Sequence, residues 1–192
     1  METEAVQMGQ SAWQWIELLS PGAILISALG AWWFAAKAIK NARDIANKKN
    51  TFDYLSKLSW DRDYIKAKNT FLEIRYGPKK LRAVSEEYHR LKNDGKLPNG
   101  DKDDAAKDVS HKIIEEHSSI KNILNEYEAL AIAIRSGALD EEMVKSNIRQ
   151  QFIDHIESCS EFITHTRANA GLKNPEKLWC EAQALVESWN GK

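Results

Sequence analysis

HKIIEEHSSIKNILNEYEALAIAIR, residues 111–135, is the stretch whose spacing decides the fold. Ile113, His117, Ile120, Leu124, Tyr127, Ala131 and Ile134 follow one another at alternating steps of four and three residues. With 3.6 residues per helical turn, those positions align as one stripe, so the spacing predicts a long helix with a seam packed against other helices. Working outward, Gly137 reads as the C-cap of that helix and Asp140 as the N-cap of the next. Val144, Ile148, Phe152, Ile156, Cys159 and Ile163 then mark the apolar side of a helix expected to run to Gly171. Asn174-Pro175 opens a final helix that carries Leu178, Ala182, Leu185 and Trp189.

In the other direction, NDGKLPNGDKDD (93–104) has the composition of a loop. A short helix is predicted from Lys79 to Lys92. Before it, Tyr64, Ala67, Phe71, Leu72 and Ile74 predict a helix with Asp61 as N-cap and an end at Gly77-Pro78. No stretch alternates apolar and polar residues long enough to require a strand. The expected fold is therefore all-α, with residues 60–192 forming an antiparallel helical bundle.

The N-terminal third reads differently. Leu18 to Ala36 are 19 residues without a charge, close to the length that crosses about 30 Å of hydrocarbon. Ser20 and Pro21 suit the start of a helix there. Trp13 and Trp15 at one end and Trp32 and Trp33 near the other match the aromatic belts of membrane interfaces. No Lys or Arg precedes Lys37, whereas Lys37, Lys40, Arg43, Lys48 and Lys49 follow within a few turns. Flanking cations are retained in the cytoplasm and lie against anionic lipid. Acidic rather than basic leading residues argue against a cleaved signal peptide. This predicts an external tail (1–17), a transmembrane helix (18–39), a basic juxtamembrane continuation of that helix (40–59) and a cytoplasmic domain (60–192). Ala23, Ser27, Ala31 and Ala35 recur every four residues and predict a small-residue strip for helix association in lipid, hence a homo-oligomer.

Composition narrows the functional classes. A net charge of −1 excludes general phosphate-backbone binding, so no nucleic-acid partner is expected. Two cysteines, Cys159 and Cys180, are too few for a disulfide scaffold and fit a reducing compartment. HKIIEEH sets His111 and Glu115 on one helix face with His117 elsewhere, and His155 and His165 follow on the next helix. The zincin spacing H-E-x-x-H is absent. Cys159 lies on an apolar stripe, with no local sign of a nucleophile's base. G-x-x-x-x-G-K, G-x-G-x-x-G and G-x-S-x-G are also absent. Neither enzyme activity, metal, cofactor nor small-molecule substrate is expected. Asn125 and Glu128 interrupt the apolar run ILNEYEALAIAI. A buried polar group needs a partner, so Arg135 and Arg149 are expected to join them in a buried network that fixes helix register, or to border a small recognition pocket.

The segment NEYEALAIAIRSGALDEEMV (125–144), taken with the anchor, Trp60-Asp61-x-Asp63-Tyr64 and Trp179, resembles the domain-of-unknown-function family 4760. The resemblance implies a small protein of bacteria and their prophages, with one N-terminal span and a helical cytoplasmic region. It carries over no catalytic residue. The expected function is a non-enzymatic interaction module at a bacterial-type inner membrane, N-terminus outside, serving superinfection exclusion, host takeover or defence. Its expected partners are membrane lipid and another protein. The alternative is a membrane-embedded homo-oligomer acting as a sensor or membrane-perturbing effector.

Overall fold

The structure, a computed structural model, describes residues 2–95 and 104–191, with side chains from 25 to 95 and from 108 to 191. Among the described residues there are seven α-helices, one three-residue 3₁₀ turn and no strand. The chain is all-α. The helices are α1 (Glu2–Trp60), α2 (Arg62–Tyr76), α3 (Leu81–Asn93), α4 (Asp104–Arg135), α5 (Glu141–Ser158), α6 (Ser160–Asn169) and α7 (Cys180–Trp189). They fall into two compact units, residues 1–46 and 47–192, whose boundary lies inside α1.

Helix α4 organises the second unit and packs against α2, α3, α5 and α7. Every position of its predicted stripe is buried, from Ile113 through His117, Ile120, Leu124, Tyr127 and Ala131 to Ile134. Phe71 of α2, Phe152 of α5 and Phe162 of α6 are wholly buried around it. Burying side chains of that size contributes on the order of 2–3 kcal/mol each from area removed from water.

Local signals set the helix ends. Asp61 caps α2, its carboxylate accepting from the backbone N–H groups of Asp63 and Tyr64. Asp140 does the same for α5 by accepting from Met143 N–H at 2.9 Å. Gly137 takes φ 71°, a left-handed turn that an L side chain adopts only with strain. The last turns of α1 are tied to that corner. The wholly buried Thr51 hydroxyl donates to the Asn47 carbonyl and accepts from Asp140 N–H, both at 2.8 Å.

Two expectations need correction. The helix expected from Asp140 to Gly171 is two helices, because the chain turns at Cys159 between α5 and α6. The final helix starts at Cys180, since Pro175–Lys177 form a 3₁₀ turn and Trp179 adopts the left-handed conformation (φ 56°). No periodicity signals either event: the apolar stripe of α5 continues across Cys159 into Ile163.

In the first unit, Leu25, Ile26, Leu29, Trp32 and Phe34 are all exposed by more than half, at 64, 73, 66, 71 and 67%. Among the described residues no helix is long and apolar enough to cross a membrane. The described apolar run covers 25–36; residues 18–24, the rest of the expected span, and the expected helix start at Ser20–Pro21 lie outside the described side chains.

Candidate functional site

The chemically most suggestive surface of the second unit is a groove of about 440 Å³ between the end of α1, α2 and α5. Its apolar floor comes from Leu55 and Leu58 of α1, Ile65 of α2 and Ile148 of α5. The polar wall is formed by Lys68 and Asn69 of α2 and by Asn147 and Gln151 of α5. Helical spacing brings each of these residues to the groove. Residues 68 and 69 follow Tyr64 and Ile65 by one turn, and residues 147 and 151 are themselves one turn apart. Among the described residues no carboxylate lines the groove. Lys68 is half-buried, and among the described residues it has no ion-pair partner.

Behind the groove sits a buried polar cluster. Gln151 donates from Nε2 to Tyr127 Oη at 3.2 Å, and Tyr127 Oη is 2.8 Å from His155 Nδ1. The His155 ring also packs against Phe71, with centroids 4.8 Å apart. Burial, helped by the charges of Arg75 and Lys68 and opposed by Asp154, pushes His155 down to about 4. Burial pushes the Tyr127 phenol far up. The pair is thus a neutral hydrogen-bonded unit across the neutral pH range.

A second cluster gathers His89 of α3, His117 of α4 and His165 of α6. His89 stands 5.9 Å from His117 and 5.7 Å from His165, centroid to centroid, and Tyr88 stacks flat on His117 at 3.7 Å. Both His89 ring nitrogens and His117 Nε2 are buried without a hydrogen-bond partner among the described residues. His165 Nδ1 is taken by the Ser85 hydroxyl at 2.9 Å. Burial lowers His117 to about 3, with Lys121, His89 and Lys92 adding to the effect, and it lowers His89 as well. Among the described residues no group of three or more His, Cys, Asp or Glu side chains is arranged to hold a metal ion. Cys159 is fully buried, and burial pushes its thiol up to about 12, the opposite of an activated nucleophile.

The four residues expected to form one buried network are not joined to one another. Each instead fastens α7 or its leading turn, and Asn125 and Arg135 are exposed. Asn125 Oδ1 accepts from the Trp179 indole N–H at 2.8 Å. Glu128 caps the α7 N-terminus, accepting from Ala182 N–H at 2.8 Å and Glu181 N–H at 3.3 Å. Arg135 pairs with Glu181, and Arg149 donates to the Trp189 carbonyl. The partners lie 40 to 54 residues along the chain, a separation at which sequence spacing carries no signal.

In the first unit Lys37, Lys40 and Arg43 are exposed, as are Lys48 and Lys49 in the second. Lys37 Nζ lies 5.1 Å above the Trp33 ring, which meets Phe34 edge-on at 5.0 Å. Ala31 and Ala35 are exposed, as is Ser27. Trp13, Trp15 and Ala23 lie outside the described side chains.

Spacing does not reveal the groove residues Lys68, Asn69, Asn147 and Gln151. The one available sign is that they flank the apolar stripes of α2 and α5, which most solvated polar residues also do.

A family model described as a domain of unknown function, DUF4760, matches residues 23–189. No curated protein and no solved structure matches the chain.

Proposed function

The chain belongs to the DUF4760 family, and we propose that it is a membrane-anchored, non-enzymatic interaction module of a bacterium or one of its phages. The observation that carries this reading is the exposure of Leu25, Ile26, Leu29, Trp32 and Phe34. At 100° per residue these side chains do not confine themselves to one face, and the uncharged stretch offers no polar face opposite them. A helix lying in the interface plane would need one. The uncharged sequence continues upstream through residues 18–24, giving the 19-residue length that a bilayer core requires. The basic run Lys37, Lys40, Arg43, Lys48 and Lys49 supports a cytoplasmic face for the second unit, and Lys37 above Trp33 suits an interfacial anchor.

Membrane fractionation tests the anchor. The full-length protein should stay with membranes after a high-salt wash and an alkaline carbonate wash. Leu25→Arg with Leu29→Arg, placed mid-span, should release it. Release of the unsubstituted protein by salt alone would overturn the reading. In the second unit, absence of nucleotide, hydrolase and zincin motifs and a Cys159 thiol pushed up to about 12 support a binding rather than a catalytic role.

A second reading, a membrane-embedded homo-oligomer, rests on Ser27, Ala31 and Ala35. At 100° per residue they share one side of α1, away from Leu25, Leu29 and Trp32. Ala31→Ile should then weaken crosslinking between copies in detergent; undiminished crosslinking would remove it.

A further inference from the structure

We propose that the groove between α1, α2 and α5 binds a carboxylate-bearing peptide segment of the partner protein, seated by its backbone N–H groups and one aliphatic side chain. This rests on the interaction-module reading and names the chemistry of its partner.

Three observations converge. Among the described residues Lys68 is a half-buried cation without an ion pair, in a groove that none of their carboxylates lines. Two other lysines of the second unit are already paired: Lys66 meets Glu115 at 2.6 Å and Lys79 meets Glu87 and Glu116 at 2.9 and 2.8 Å. An unpaired lysine, half-buried beside apolar side chains, favours an anion more strongly than a fully solvated one does.

The second observation concerns which ends of the amides are free. Asn147 donates its Nδ2 to the Met143 carbonyl at 2.7 Å and to Ser146 Oγ at 3.3 Å. Gln151 donates its Nε2 to Tyr127 at 3.2 Å. A primary amide has two N–H groups and one oxygen. With both Asn147 hydrogens engaged and one of Gln151's, α5 offers the groove two amide oxygens and a single remaining N–H. Two acceptors one helical turn apart, about 5.4 Å, lie near the roughly 6.6 Å spacing of alternate N–H groups along one edge of an extended backbone. The wall thus has a polarity: α5 accepts from peptide N–H groups while α2 presents the cation.

The third observation is the floor. Leu58 and Ile148 are half-buried apolar residues that border the groove and pack on the core. They give a Leu- or Ile-sized side chain a surface to cover. The smallest molecule with all three features is an N-acylated aliphatic amino acid, which carries one N–H, one carboxylate and one branched side chain.

The test uses N-acetyl-leucine and its uncharged analogue N-acetyl-leucinamide, titrated into ¹⁵N-labelled full-length protein in lipid nanodiscs. The side-chain amide signals of Asn69, Asn147 and Gln151 should shift saturably with the acid. Affinity for the leucinamide should be lower by about fivefold or more, the loss of one ion pair in a partly desolvated site. Lys68→Gln should erase the difference between the probes, whereas Lys66→Gln, which removes a lysine already paired with Glu115, should preserve it. Asn69→Ala gives a second handle if Lys68→Gln disturbs folding. Equal response to the two probes, or shifts confined to residues outside the groove, would overturn the proposal. Because the titration reads binding and not partitioning, it stands or falls separately from the anchor: a protein released by salt yet selective for the acid would overturn the anchor alone.

Discussion

At the scale of single residues, stability depends on side chains that are neutral or oriented because of where they are buried. His89, His117 and His155 all have imidazoles whose protonated form is disfavoured by burial, with His117 at about 3 and His155 at about 4. Around His117 and His89 the facing charges are Lys92 and Lys121, with His165 adding to the effect on His89, so protonation would place a cation among cations. Around His155, Arg75 and Lys68 disfavour the charge and Asp154 only partly offsets them. The unfolded chain binds these protons near pH 6.5 and the folded chain does not, so the stabilising contribution is complete above 6.5. It is lost as pH falls from about 6.5 toward 4, at up to about 1.4 kcal/mol per pH unit for each of His117 and His155, with His89 acting in the same direction. Urea midpoints should therefore plateau above about pH 6.5 and fall between roughly 6.5 and 4.5, before most carboxylates titrate. A flat profile across that window would show the imidazoles charged in the folded protein. Glu128 makes a different residue-scale prediction, because its two carboxylate oxygens occupy N–H groups of α7 that the N-cap side chain leaves uncapped. Glu128→Ala should cost about 1–2 kcal/mol, the usual range for losing a helix cap, measured by urea unfolding at neutral pH. An unchanged midpoint would mean that water caps α7 equally well.

At the scale of elements, legibility tracks the range of the interaction. The α4 stripe is readable because periodicity is a property of the helix itself, and all seven of its positions are buried. The ends at Asp61, Gly77, Gly137 and Asp140 are readable because caps act within three or four residues. The turn at Cys159 is not, since its apolar stripe runs on and no Gly or Pro marks it. The roles of Asn125 and Glu128 are hidden for another reason: spacing shows that they need partners, but the partners sit in and just before α7, set by tertiary packing. The junction of α2 and α3 yields a sharper test. Gly77 has ordinary extended backbone (φ −84°, ψ −177°), so conformation alone would admit alanine. A Cβ there would lie 2.5 Å from the Glu73 carbonyl oxygen, inside contact distance with backbone that cannot rotate away. Gly77→Ala should therefore destabilise by on the order of 1–3 kcal/mol. Gly30→Ala, in open space within α1, should leave the second unit's unfolding unchanged. Equal midpoints for Gly77→Ala and the unsubstituted protein would mean that the corner opens without penalty.

At the scale of the whole molecule, the two units differ in what stabilises them. The hydrophobic cluster draws all its buried members from Tyr64 to Trp189, with Tyr54 and Leu58 of α1 packed against it. Among the described residues nothing before residue 47 belongs to that cluster, whereas residues 25–46 leave almost every apolar side chain exposed. Charge patterning foreshadows this division, with no Lys or Arg before Lys37 and near balance after Asn50, although the sequence signals set the domain edge at Trp60 rather than within α1. The fastening of Asn47, Thr51 and Tyr54 explains why the compact unit begins earlier: Asn47 donates to the Gly137 carbonyl at 2.8 Å, and Tyr54 donates to Glu126. These contacts recruit the last turns of α1 into the helical domain. A chain starting at Asn47 should consequently keep the full-length protein's cooperative thermal unfolding, with a midpoint within a few degrees, while losing membrane association. A chain starting at Trp60 retains the predicted domain but discards Thr51, whose hydroxyl satisfies the Asp140 N–H, and the Tyr54 and Leu58 packing. Leaving such a donor unsatisfied costs about 1–3 kcal/mol, and the midpoint should fall by roughly 4 °C or more for a domain of this size. Differential scanning calorimetry of the three chains decides the matter. Equal midpoints for the two shortened chains would show that the end of α1 is only a tether, and a collapse of both would show that the first unit supports the second.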